Sequence, residues 1–169
     1  MNRTRTVQLT QTALMAAMVF LATNLIRFPN PATGGYSHLG DCMVFLAVLI
    51  LGRNRGATAA GIGGAMSDLL AGAPVWILPT LVIKFTMAFI MGSVSDDGRG
   101  STLRLTVASV LGGIFQIIAY TLVKVVLFGW RVALVSVPNL TIQTTIGIVL
   151  FVIIGRILER YAPRLTRRA

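Results

Sequence analysis

The chain has 169 residues, 55% of them hydrophobic and 12% charged, with a mean hydropathy of +0.80. That balance excludes a water-soluble domain, which needs far more polar surface to cover itself, and points to an integral membrane protein folded as a single domain over 1–169. The net charge is +10, and the lone cysteine, Cys42, excludes an internal disulfide and a Cys-based zinc site.

Apolar runs set against punctuation predict about six membrane helices. The first covers about 7–26. It follows a basic start, as a signal peptide would, but lacks a small-residue cleavage site, so it is expected to be retained. The second, about 39–51, and the Gly-rich third, about 57–71, are short against the roughly 20 residues that span a bilayer. They can cross if shielded or tilted, or can form one re-entrant hairpin. The fourth, fifth and sixth cover about 75–91, 103–128 and 140–158. The fold class expected is therefore an all-α membrane protein, a compact bundle of about six transmembrane helices.

Basic residues orient the bundle. With the N-terminus inside, eleven arginines (3, 5, 53, 55, 99, 104, 156, 160, 164, 167 and 168) are cytoplasmic, and only Arg27 and Arg131 lie outside. Both termini then face the cytoplasm, as an even number of crossings requires. The positive charge serves topology and anionic headgroups, and no nucleic acid is implied.

This orientation gives the polar residues a depth. Asn24, Asp41, Asp68, Trp76, Tyr120, Lys124, Asn139 and Gln143 fall toward the outer half, with Lys84 and Gln116 nearer the middle. An ammonium at bilayer depth costs roughly 3 kcal/mol, so Lys84 needs a partner, a wet cavity or a ligand. Asp68, just before the turn 72–74, is the expected neighbour. Helical spacing aligns Gln116, Tyr120 and Lys124, then Asn139 with Gln143, then Trp76, Thr80 and Lys84. Three polar stripes at one depth predict an outward-facing pocket, although interhelical hydrogen bonds and an aromatic belt would use the same residue types. The outer loop 27–38 carries Pro29, Pro31, Gly34 and Gly35 with Phe28, Tyr36 and His38, which suits a lid over a planar ligand. His38, the only histidine, is expected as a loop hydrogen-bonder and not as a metal ligand.

No phosphate-binding Gly-x-x-x-x-Gly-Lys-Ser/Thr loop, metal-binding His-Glu-x-x-His or Gly-x-Ser-x-Gly elbow occurs, and five acids leave little for acid–base chemistry. No enzyme activity, cofactor or metal is expected. On the first helix Ala13 and Ala17 form a small-xxx-small pair, a device for close helix approach either inside the bundle or to another protein.

The runs Tyr36-Ser-His-Leu-Gly-Asp-Cys-Met-Val-Phe-Leu-Ala47, Ala60-Gly-Ile-Gly-Gly-Ala-Met-Ser-Asp-Leu-Leu70 and Pro79-Thr-Leu-Val-Ile-Lys84, with Ala13-x-x-x-Ala17, resemble the substrate-binding S components of energy-coupling factor (ECF) vitamin transporters. The resemblance spans nearly the whole chain. It implies a plasma-membrane protein that captures a vitamin or precursor from outside and docks, through Ala13 and Ala17, on a transmembrane coupling subunit driven by two ECF ATPases. The subgroup it looks most like includes carriers of hydroxymethylpyrimidine, pyridoxine and riboflavin. Tyr36, His38, Asp41, Asp68, Trp76, Lys84, Gln116, Tyr120, Asn139 and Gln143 are the expected substrate-binding set. Hydroxymethylpyrimidine is the preferred ligand, because Gln116, Asn139 and Gln143 suit its ring nitrogens and amino group, while Trp76 or Tyr36 can stack on the ring. Pyridoxine, riboflavin and pantothenate stay open, the last because a lysine suits an anion. Readings of another class are a stand-alone carrier and a structural membrane subunit.

Overall fold

A computed structural model describes residues 3–25, 27–30 and 35–162, with 27–30 and 35–37 described by their backbone alone. The chain forms six helices and one hairpin: α1 (Arg3–Leu25), β1 (Arg27–Asn30), β2 (Gly35–His38), α2 (Gly40–Leu51), α3 (Arg53–Leu70), α4 (Pro74–Val94), α5 (Thr102–Phe128) and α6 (Trp130–Tyr161). The all-helical bundle expected from the apolar runs is present. Among the described residues α1, α4, α5 and α6 are long and apolar enough to cross a membrane. Their outward faces carry exposed aliphatic side chains such as Leu14, Leu78, Leu103 and Val126. In water that surface would be a liability, and against lipid tails it is ordinary.

Helix α2 is the hub, packed against α1, α3, α4 and α6. Val44, Phe45, Ala47 and Val48 are wholly buried, and Phe45 meets Phe151 of α6 with ring centroids 5.6 Å apart. At 12 residues α2 is only about 18 Å long. It starts inside the bundle, with Gly40 and Asp41 buried. The single residue Gly52 joins it to α3, and the Asp97 carboxylate, from the α4–α5 turn, accepts the backbone N–H of Arg53 at 3.1 Å. That bond satisfies one of the donors left over at the start of α3.

Small residues allow the helices to come close. A Cβ on Gly64 of α3 would stand 2.9 Å from Thr80 and 3.2 Å from Lys84, and one on Gly147 of α6 would stand 2.7 Å from the Asp41 Cβ. Such separations are below van der Waals contact, so α3 and α6 can carry no side chain there without moving their neighbours.

Two departures from the sequence reading matter. Helix α6 begins at Trp130, ten residues before the expected start, and continues through Pro138. Ala133, Ser136 and Leu140 are buried at helical spacing, and that packing outweighs the backbone bond that proline removes. Only Gly129, at φ 82°, separates α5 from α6; this left-handed conformation suits glycine. The expected loop 27–38 contains an antiparallel ladder in which Arg27 pairs with His38 and Asn30 with Gly35.

Gly147→Ala is expected to destabilise the bundle by about 1–3 kcal/mol by wedging α6 from α2. Thermal unfolding followed by dye labelling of the buried Cys42 thiol measures this, and an unchanged midpoint would contradict the close approach.

Candidate functional site

Asp41 stands in the first turn of α2 and is fully buried. The positive end of the helix dipole favours a carboxylate there. Because α2 is short, its first turn lies at the depth of Lys84 on α4 and Gln116 on α5, which are 3% and 0% exposed. The Lys84 ammonium donates to Asp41 Oδ1 and to Gln116 Oε1. Asp41 Oδ2 accepts from Gln116 Nε2 at 2.7 Å and from Gln143 Nε2 at 3.1 Å. Gln116 Nε2 also donates to Thr144 Oγ1 at 2.8 Å. Four helices thus contribute to one buried, charge-balanced network in which both carboxylate oxygens and both amide ends of Gln116 are used.

The expected pairing of Lys84 with Asp68 is corrected by this geometry. Gly64 is the α3 residue that abuts Lys84, and Asp68 lies one turn beyond it, roughly 6 Å along the axis. Asp41, assigned from the sequence to the outer half, is instead at mid-bundle depth. Helix α2 opens with Gly40 and Asp41 already buried among the other helices, so its first turn meets the middle of α4 and α5.

An aromatic tier stands over the network, one to three turns along α4 and α5. Lys84 Nζ is 5.7 Å from the centroid of the Tyr120 ring, within cation–π range. The Tyr120 hydroxyl donates to Thr80 Oγ1 at 3.1 Å. Trp76 lies 6.0 Å from Tyr120, tilted, and 5.9 Å from Phe128, stacked at 26°. These rings are half-buried or exposed, unlike the network beneath them.

The other expected residues are placed as follows. His38 Nδ1 accepts the backbone N–H of Gly40 at 3.1 Å, so the histidine holds the start of α2. Asn139 is half-buried on α6, one turn from Gln143. Asp68 is buried on α3, beside Ser67, whose hydroxyl is bonded to Asn24 of α1. The Tyr36 side chain lies outside the described residues. Thr144 and Phe128 were not in the expected set. Phe128 continues the 116–120–124 stripe by four residues, a signal present in the sequence. Among the described residues no group of three His, Cys, Asp or Glu side chains could hold a metal.

A buried acid–base pair locked by amides beneath aromatic rings, in a bundle whose outer faces are aliphatic, defines a helical membrane protein with an internal polar cluster. Two solved structures share this fold: an S component of a bacterial ECF transporter (TM-score 0.74, 18% identity, 96% of this chain and 99% of that one) and the biotin S component of an ECF-type ABC transporter (TM-score 0.76, 17% identity, 99% and 100%). The family model for the S component of the ECF-type riboflavin transporter matches residues 3–160, and the chain belongs to that family. It is a transporter subunit, not an enzyme. Curated relatives include an uncharacterized protein from the gap 3′ region of Pyrococcus woesei, 37% identical over 142 residues (84% of this chain, 95% of the relative). The thiamine precursor transporter HmpT of Lactococcus lactis subsp. cremoris (strain MG1363) is 26% identical over 154 residues (90% and 88%).

Removing one member of the ion pair leaves a buried charge. Lys84→Met and Asp41→Leu are each expected to cost about 3–5 kcal/mol, and the double variant less than their sum. Thermal unfolding of the three variants measures the coupling, and strict additivity would show that the two charges do not interact.

Proposed function

We propose that this chain is the substrate-capture subunit of an ATP-driven ECF importer for a vitamin precursor, most specifically hydroxymethylpyrimidine. One observation carries the reading: a network of one carboxylate, one ammonium and two amides lies directly beneath a wall of aromatic rings. A flat heterocycle gains apolar contact from Trp76 and Tyr120 and hydrogen bonds from the polar groups below. The thiamine precursor relative supports the choice of ligand. In this reading Trp76, Thr80, Tyr120, Asn139 and Gln143 line the ligand, with Lys84 at its floor, while Tyr36 and His38 belong to the lid. Asp41 and Gln116 hold Lys84 in place, and Asp68 borders the site from α3.

Residues 1–169 act as one plasma-membrane domain. The end carrying Arg53, Arg55, Arg99 and Arg104 faces the cytoplasm, and the hairpin end faces outside. The coupling subunit and two ATPases supply the energy. Ala13 and Ala17 are both exposed, whereas Ala16 is turned inward against Gly63 of α3, so this pair is available to a partner helix.

The decisive experiment is mass spectrometry of ligand released from the purified chain, with titration of a B-vitamin and precursor panel. Hydroxymethylpyrimidine is expected to bind best, and Trp76→Ala to weaken it by about 10- to 100-fold, equivalent to about 1.4–2.8 kcal/mol. Absence of any vitamin-sized ligand and of binding across the panel would refute the reading. Ala13→Leu/Ala17→Leu is expected to abolish copurification with the coupling subunit and ATPases while ligand binding stays unchanged. Loss of both, or of neither, would remove this pair from the docking surface.

A further inference from the structure

We infer that Asp41 sets the charge class of the ligand, restricting the site to uncharged, hydrogen-bonding heterocycles and excluding carboxylate- or phosphate-bearing ones. The inference rests on the reading of this site as a ligand site and adds a specificity residue to it.

A lysine at the floor of a pocket would ordinarily attract an anion. Here its charge is already matched. The ammonium donates to Asp41 Oδ1 and Gln116 Oε1, and Asp41 is fully buried. Two of the ammonium's three N–H groups are engaged and the Tyr120 ring lies 5.7 Å from the nitrogen, so the lysine has little capacity left for a further anion. A second anion at that position would lie beside the Asp41 carboxylate in a medium that screens poorly. Asp41 has no route to relieve the repulsion. It is anchored in the first turn of α2, its Cβ abuts Gly147, and its other oxygen holds Gln116 and Gln143. Turning it away would leave a buried carboxylate without its cation. The next cation along the stripe, Lys124, is two turns from Gln116, roughly 12 Å away, beyond the reach of a small ring seated at the floor. Uncharged groups face no such conflict, because the network as a whole is neutral.

The test pairs hydroxymethylpyrimidine with its analogue in which the hydroxymethyl group is oxidised to a carboxylate, a change of charge at nearly constant size. Both are titrated into the full chain in nanodiscs. The neutral compound is expected to bind at least about 100-fold more tightly. In Asp41→Asn, which keeps the shape but leaves Lys84 uncompensated, that ratio is expected to fall by about tenfold or more, mainly through tighter binding of the carboxylate. Equal binding of the two compounds by the unmodified chain overturns the inference, as does an unchanged ratio in folded Asp41→Asn. Should the variant not fold, the ratio in the unmodified chain decides alone. Binding of neither compound, nor of any other in the vitamin panel, overturns the site reading itself. Preferential binding of the anion overturns only the charge rule.

Discussion

The pairing of Lys84 with Asp41 is the constraint around which the bundle is organised. Each charge alone is costly at bilayer depth, and each is tolerable only with the other in contact and the remaining lone pairs satisfied. Gln116, Gln143 and Thr144 supply those bonds, so α2, α4, α5 and α6 are held at one level by a polar cluster with little slack. The cluster also explains the shape of its surroundings. Helix α2 must be short to bring its first turn to that depth, and α3 and α6 must carry glycine where they pass Lys84 and Asp41.

Above that floor the architecture changes character. Lys84, Asp41 and Gln116 are closed in by protein, while Trp76, Tyr120 and Phe128 form a partly exposed cluster of rings. The fold is shared by chains with little sequence in common, so specificity must reside in such side chains and not in the helical frame.

The helical frame was largely legible because lipid imposes simple rules: long apolar runs, basic flanks and glycine punctuation. Where reading failed, packing had overridden a local signal. Pro138 and the polar residues around it resemble a loop, yet the buried Ala133–Ser136–Leu140 face keeps that stretch helical. The stripes Gln116–Tyr120–Lys124 and Trp76–Thr80–Lys84 were visible as helical spacing, and most of their members meet at the site. The partner of Lys84 was not visible. Asp68 stands beside the tight 72–74 turn that joins α3 to α4, a local signal, whereas Asp41 reaches Lys84 only through the packing of α2 against α4.

By itself the sequence determined a basic-flanked helical membrane bundle with a buried lysine that required a counterion, because composition and periodicity carry the energetics of a chain in lipid. Only the tertiary structure decided which acid answers that lysine. The choice depends on the buried start of α2 and the close approach at Gly147, and these are relations between segments far apart in the chain that no local pattern encodes.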